Sequence, residues 1–200
     1  MEAFYDALDL LSGMIRIPSF SREENDVADY LFSQWTKAGH KVNRAGNNLW
    51  IVAPGFELGK QTILLNSHID TVKPVAGWSK DPFAADAGED DRLYGLGSND
   101  AGASVVSLYE AFTILSKKSQ PYNLIFLASC EEEVSGKNGL ELALAELPPI
   151  HFAVVGEPTE MQPAVAEKGL MVLDCIALGK AGHAARNEGV NAILLAMKDI

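Results

Sequence analysis

The chain has 200 residues, 48% of them hydrophobic, and a formal net charge of −11. That apolar content can bury a core in one domain with sequence to spare, while the acid excess argues against a nucleic-acid partner or an anionic membrane surface, both of which ask for a basic face. The N-terminus, Met1-Glu2-Ala3-Phe4-Tyr5-Asp6, has acids where a secretory leader needs a basic segment, and no apolar run approaches membrane-spanning length, so a cytoplasmic address is expected.

In chain order, Phe4, Leu8, Leu11 and Ile15 fall at helical spacing and predict a helix that stops before Pro18. Ser21 with Glu24 three residues on is a capping-box pattern for a second helix, whose apolar face is Val27, Leu31 and Trp35 and which Gly39 closes. Strands are expected at 42–43, 48–52 and 62–67, then an extended loop over 81–94 with short strand pieces near Phe83 and Leu93. Gly95 and Gly97 permit a tight turn ahead of a helix expected from Asp100 to about Lys117, with Val105, Leu108, Phe112 and Leu115 on its buried stripe. The run 122–129 suits a central strand buried on both faces. Residues 139–147 read as a short helix ended by Pro148-Pro149, and 152–155 as another buried strand. Strands alternating with helices predict an α/β fold with a mixed, largely parallel central sheet flanked by helices.

The pattern changes near Pro163. A longer alternating strand is expected over Val165 to Leu178, then a Gly-rich turn and a helix from about Val190, which divides the chain into a main domain over 1–163 and the beginning of another over 164–200. The helical pattern reaches Ile200 with no C-cap, so these residues are expected to be the front part of a longer protein. Cys130 and Cys175 stand in strand-like apolar runs and are expected as buried free thiols. His40 and His151 read as structural.

The segment Ile63-Leu64-Leu65-Asn66-Ser67-His68-Ile69-Asp70 runs an apolar strand into a histidine and an aspartate two residues apart. Side chains at i and i+2 of an extended segment point the same way, so Asp70 can accept the second ring N–H of His68, the partner a metal-bound imidazole wants. Alone, the pair is weak evidence, since a strand-end histidine is more often a satisfied surface group than a ligand. Its company changes the reading: Asp100 follows a Gly-rich turn, while Glu131-Glu132-Glu133 and Glu157 each follow an apolar strand-like run. In open α/β sheets the C-terminal strand edge is where sites assemble. Two carboxylates about 4 Å apart repel by roughly 4 kcal/mol at an effective dielectric near 20, so acids gathered there call for cations. If Asp100, Glu133 and Glu157 were the ligands, their three negative charges against two divalent ions would leave one positive charge, which a bridging hydroxide would cancel. Taken singly, Asp100 also fits an N-cap, the glutamate run a solvated loop, and Glu157 before Pro158 a turn acid.

In order, His68-Ile69-Asp70-Thr71-Val72, Gly95-Leu96-Gly97-Ser98-Asn99-Asp100-Ala101-Gly102, Cys130-Glu131-Glu132-Glu133-Val134-Ser135-Gly136 and Gly156-Glu157-Pro158-Thr159 resemble the zinc-dependent amidohydrolase and exopeptidase family. It is the family of acetylornithine deacetylase, succinyl-diaminopimelate desuccinylase, aminoacylase and glutamate carboxypeptidase, and the likeness is strongest to the first. The resemblance implies a zinc-exopeptidase-like catalytic domain with an inserted α+β ferredoxin-like lid, whose start would be 164–200. It implies two Zn2+ per subunit in the full-length protein, with Co2+ or Mn2+ as alternatives: His68 on the first metal, Asp100 bridging, Glu157 completing the first site and Glu133 on the second. Asp70 would orient His68, and Glu132 would act as the general base that takes a proton from water and returns it to the leaving amine. Gly179-Lys180-Ala181-Gly182-His183 resembles the lid motif whose histidine reaches the partner subunit's active site, so a homodimer with His183 stabilising the oxyanion in trans is implied, although Asn187 stands where relatives often carry proline. The family closes its second site with a later histidine, and none follows His183 here. The expected substrate is a small N-acyl amino acid, N-acetylornithine first, with an N-succinyl amino acid or a dipeptide as alternatives. A metal-binding module with an incomplete second site is the non-enzymatic alternative.

Overall fold

The computed structural model describes residues 2–166, 168–169, 171, 173–186 and 188–199. The chain divides into two compact units, Met1–Met161 and Gln162–Ile200.

In the first unit, helices α1 (Glu2–Ile15) and α2 (Asn25–Lys37) precede strands β1 (Val42–Ala45), β2 (Asn48–Val52) and β3 (Thr62–His68). A small antiparallel pair, β4 (Asp86–Ala87) with β5 (Leu93–Tyr94), leads to helix α3 (Ala103–Ser116), strand β6 (Asn123–Ser129), helix α4 (Leu140–Leu144) and strand β7 (Phe152–Val155). The main sheet has the order β1-β2-β6-β3-β7. Its β3, β6 and β7 are mutually parallel, while β2 lies antiparallel to β6 and β1 antiparallel to β2. The mixed, largely parallel sheet expected from the sequence is therefore present.

Every residue of β6 is buried, because both faces of the strand are covered, as its unbroken apolar run requires. Leu124, Phe126 and Ala128 pack toward α1, α2 and α3, and Ile125 and Leu127 toward α4 with Trp50, Leu64 and Ala143. On the helical side Phe126 meets Trp35 edge-on with ring centroids 5.3 Å apart, and Tyr109 and Phe112 complete the cluster. Phe126→Ala would leave a cavity in this cluster that the rigid sheet cannot close, and is expected to cost about 3–5 kcal/mol, read from the shift in denaturant midpoint at constant slope. His40 packs its ring on Tyr109 and Phe112, and His151 Nδ1 accepts the Thr62 N–H at 3.0 Å, so both serve the fold.

Several local expectations are corrected. Ser21 does not cap α2: the helix starts at Asn25, Glu24 is its N-cap without a side-chain cap bond, and the Ser21 hydroxyl bonds elsewhere. The helix expected from Asp100 starts at Ala103, because Asp100 (φ −111°, ψ 101°) and Ala101 (φ −120°, ψ 27°) leave helical geometry in the wide turn Ser98–Gly102. β7 forms where expected, but its residues are exposed, Phe152 by 61%. Among the described residues it is one of the sheet's two edge strands, and an apolar run does not reveal how many neighbours it will have.

In the second unit no strand forms among the described residues of 165–178; Lys180 and Val190 instead make an isolated antiparallel bridge. Cys175, expected within that strand, is consequently exposed, whereas Cys130 in the first unit is buried as expected. Helix α5 (Ala192–Asp199) begins two residues later than predicted, with the Asn191 carboxamide oxygen accepting the Ile193 N–H at 2.9 Å. Among the described residues no helix is long and apolar enough to cross a membrane.

Candidate metal centre

The register of the parallel strands decides which residues meet. His68 is paired with Ser129 across β3 and β6, and Asn66 with Val155 across β3 and β7. The three strands therefore stop at one edge and release Asp70, the run Glu131 to Glu133, and Glu157 in the same place, the location expected for a site in this architecture. The Ser67 hydroxyl donates to the Gly156 carbonyl at 2.8 Å, and the Asn66 amide donates to Ser129 Oγ at 3.0 Å, which lock the three strand ends together. Asp100 comes from the turn ahead of α3, where Gly97 at φ +72° makes a reversal that other residues adopt with strain.

His68 is buried, with its Nε2 facing three acids: Asp100 Oδ1 at 3.1 Å, Glu157 Oε2 at 3.7 Å and Glu132 Oε2 at 4.0 Å. One ligand atom each from His68, Asp100 and Glu157 lie within 4.8 Å of one another. Ligand atoms on a tetrahedral zinc ion with bonds of about 2.0–2.1 Å sit about 3.3 Å apart, so this nitrogen-and-oxygen set fits a divalent cation. Glu132 and Glu133 are outside that group. Beside His68 a cavity of about 340 Å³ opens, with Glu132, Glu157, Val155 and Leu140 on its walls.

The other ring nitrogen, Nδ1, faces Asp70, but chiefly its backbone carbonyl at 2.9 Å; the carboxylate Oδ1 is at 3.4 Å. The Asp70 carboxylate, fully buried, is engaged by others. It accepts Ser21 Oγ–H at 2.8 Å and the N–H groups of Glu132 at 3.0 Å and Glu133 at 3.2 Å. Asp70 thus fixes the glutamate turn as well as the imidazole.

The electrostatics of the cluster favour a cation. Burial opposes charge on His68, yet hydrogen bonds with Asp70 and Glu157, and their negative charges, outweigh it and push the imidazole up to about 11. Burial likewise opposes charge on Asp70, but the His68 ring, the two backbone N–H groups and the Ser21 hydroxyl hold its carboxyl below the usual range. Glu132 is raised by burial and then by the charges of Glu157, Asp70 and Asp100 against the opposing pull of His68; Glu133 is raised by burial and then chiefly by Asp100. A divalent ion between these groups would relieve the repulsion and return the glutamates toward their ionised form.

His183 lies in the second unit, exposed, and its carbonyl accepts the Arg186 N–H at 2.9 Å in the short turn that follows. Asn187 is outside the described residues. Ser21 and Glu24 bond Asp70 and the backbone of Glu131, contacts that the sequence does not announce. Their spacing points instead to a helix cap.

A family model described as Peptidase family M20/M25/M40 matches residues 64–174, which contain every one of these first-unit ligand candidates. The acetylornithine deacetylase of Proteus mirabilis is 34% identical over 144 residues, 71% of this chain and 37% of that protein. That of Vibrio vulnificus is 28% identical over 206 residues, 93% of this chain and 52% of that protein. Among solved structures, an M20 family metallo-carboxypeptidase from Sulfolobus solfataricus superposes with a TM-score of 0.59 at 23% identity, over 78% of this chain and 37% of its own. A dinuclear metal-binding peptidase of the M20 family from Bacillus subtilis gives 0.59 at 14% identity, over 77% and 42%. These two likenesses concern the fold. The chain spans about 37% of the length of the first curated relative.

Proposed function

Since the chain belongs to peptidase family M20/M25/M40, we propose that it carries the catalytic metal site of a hydrolase that cleaves the amide bond of a small N-acyl amino acid, N-acetylornithine first. The observation that carries this reading is the triad of His68, Asp100 and Glu157 donors with the Glu132 carboxylate beside it. His68, Asp100 and Glu157 would hold one divalent ion, and Asp100 with Glu133 a second. Such ions supply a nucleophile at neutral pH and polarise the scissile carbonyl.

The residues of this chain do the rest. Glu132, near the cluster and outside the donor triad, takes the proton of the attacking water and returns it to the departing amine. Asp70 holds both the His68 ring, through its carbonyl, and the backbone of Glu132 and Glu133, through its carboxylate, so that base and ligands move as one body. The cavity beside His68 would receive the acyl amino acid. Gln162–Ile200 would begin the lid, with His183 donating to the oxyanion across a homodimer.

The test is metal content of the purified natural-length protein together with amine release from N-acetylornithine, an N-succinyl amino acid and a dipeptide. About two Zn2+ or Co2+ per chain with release from N-acetylornithine is the expected result. Release only from one of the other substrates would keep the reaction and replace the substrate. A folded protein with neither metal nor release would overturn the reading in favour of a non-catalytic module.

A further inference from the structure

We propose that residues 19–24 form a strap that positions the metal-site loops, and that Ser21 and Glu24 are its positioning residues; this rests on the metal-hydrolase reading above. One end of the strap is sewn to the loop after β3. Phe20 bridges Thr71 in parallel, the Thr71 N–H donates to the Ser19 carbonyl at 2.8 Å, the Ser21 N–H donates to the Thr71 carbonyl at 3.2 Å, and Ser21 Oγ donates to Asp70 Oδ2 at 2.8 Å. The other end is sewn to the loop after β6. Glu24 is fully buried, and its Oε1 accepts the Arg22 N–H at 2.7 Å and the Glu131 N–H at 3.1 Å, while Oε2 accepts the Asn47 amide at 3.0 Å.

Two features separate this from ordinary packing. A carboxylate buried among neutral donors is costly to keep, and a helix start has no need of one here, because Glu24 makes no side-chain cap bond to α2. Its bond to Glu131 falls on a residue at φ 55°, ψ 25°, a left-handed conformation that a side-chain-bearing residue adopts reluctantly. That reversal brings the chain out of β6 with the N–H groups of Glu132 and Glu133 both directed at Asp70. Ser21 supplies a further donor to the same carboxylate. The strap therefore ties together a carboxylate 49 residues away and a backbone turn 107 residues away, and through them the proposed base and ligands.

Ser21→Ala and Glu24→Gln test the strap by Co2+ titration against a competing chelator, with the visible Co2+ absorption and far-ultraviolet circular dichroism recorded on the same samples. Removing a group that orients a metal ligand commonly weakens binding about 10- to 100-fold. We expect that loss, with an altered Co2+ spectrum, for folded Ser21→Ala, and recovery in Ser21→Thr, which keeps the hydroxyl. Glu24→Gln should show the same direction; if it fails to fold, Ser21→Ala decides. Folded Ser21→Ala with the parent's affinity and spectrum overturns the strap while leaving the functional reading in place. A parent chain that binds no Co2+ removes the functional reading, and the strap with it.

Discussion

Glu132→Ala is expected to bind metal as the parent does and to lose about 10²- to 10⁴-fold in turnover, the range for removing a general acid–base group. The geometry motivates both halves of that expectation. Glu132 Oε2 is 4.0 Å from His68 Nε2, farther than either Asp100 or Glu157, and it is outside the group whose donors converge. Its backbone, not its carboxylate, is what Asp70 holds, so truncation spares the turn. Burial and then the neighbouring charges of Glu157, Asp70 and Asp100 raise its affinity for a proton, which suits a group that must accept one from water and carry it. Metal analysis and amine release on the same preparation check the result. Turnover within tenfold of the parent would remove Glu132 from the role, and loss of metal would make it a ligand.

Asp100→Ala should show the opposite pattern. Its carboxylate is the nearest acid to His68 Nε2, at 3.1 Å, and its charge is the main neighbour raising Glu133, so it interacts with members of both groups of proposed ligands. Metal affinity is expected to fall by more than the roughly 10- to 100-fold typical of losing a supporting partner. Without metal the same substitution removes like-charge repulsion with the glutamates but also the 3.1 Å contact with the His68 imidazole, two effects of opposite sign, so the metal-free variant should melt close to the metal-free parent. Titration with Zn2+ and thermal unfolding in chelator distinguish this from a structural role. Full metal occupancy in Asp100→Ala would sink the bridging assignment, and a large drop in metal-free melting temperature would make Asp100 part of the scaffold.

Much of the sheet could be read from the chain alone, because β3 and β6 are apolar runs of the right length between turn residues, and parallel strands buried in the middle of a sheet carry that signature. The meeting of His68 and Glu157 was legible for a related reason, since residues at or directly after the ends of parallel strands go to one edge of the sheet, whereas Asp100 follows a Gly-rich turn and was placed there by the order of the four motifs. What failed to show were features decided by neighbours distant in sequence. Ser21 and Glu24 have the spacing of a capping box, and nothing local says that their oxygens will bond Asp70 and Glu131 instead. Asp100 reads as a helix start because its departure from helical geometry is imposed by the surrounding turn. β7 is as apolar as a central strand, and its edge position depends on which strands pair with it, which periodicity does not encode. The run Val165 to Leu178 alternates like a strand, but a strand needs a partner, and none pairs with it among the described residues.

The exposure of β7 has a consequence for how long a bound ion would stay. Strands open individually before the whole domain unfolds, and those with few buried contacts open first. Of the proposed ligands, His68 belongs to a strand flanked on both sides, while Glu157 follows a four-residue strand bonded to β3 alone among the described residues. Fraying of β7 would withdraw one ligand and leave the others in place. In this 200-residue chain the residence time of the ion would then depend on the lifetime of a few hydrogen bonds at the margin of the sheet.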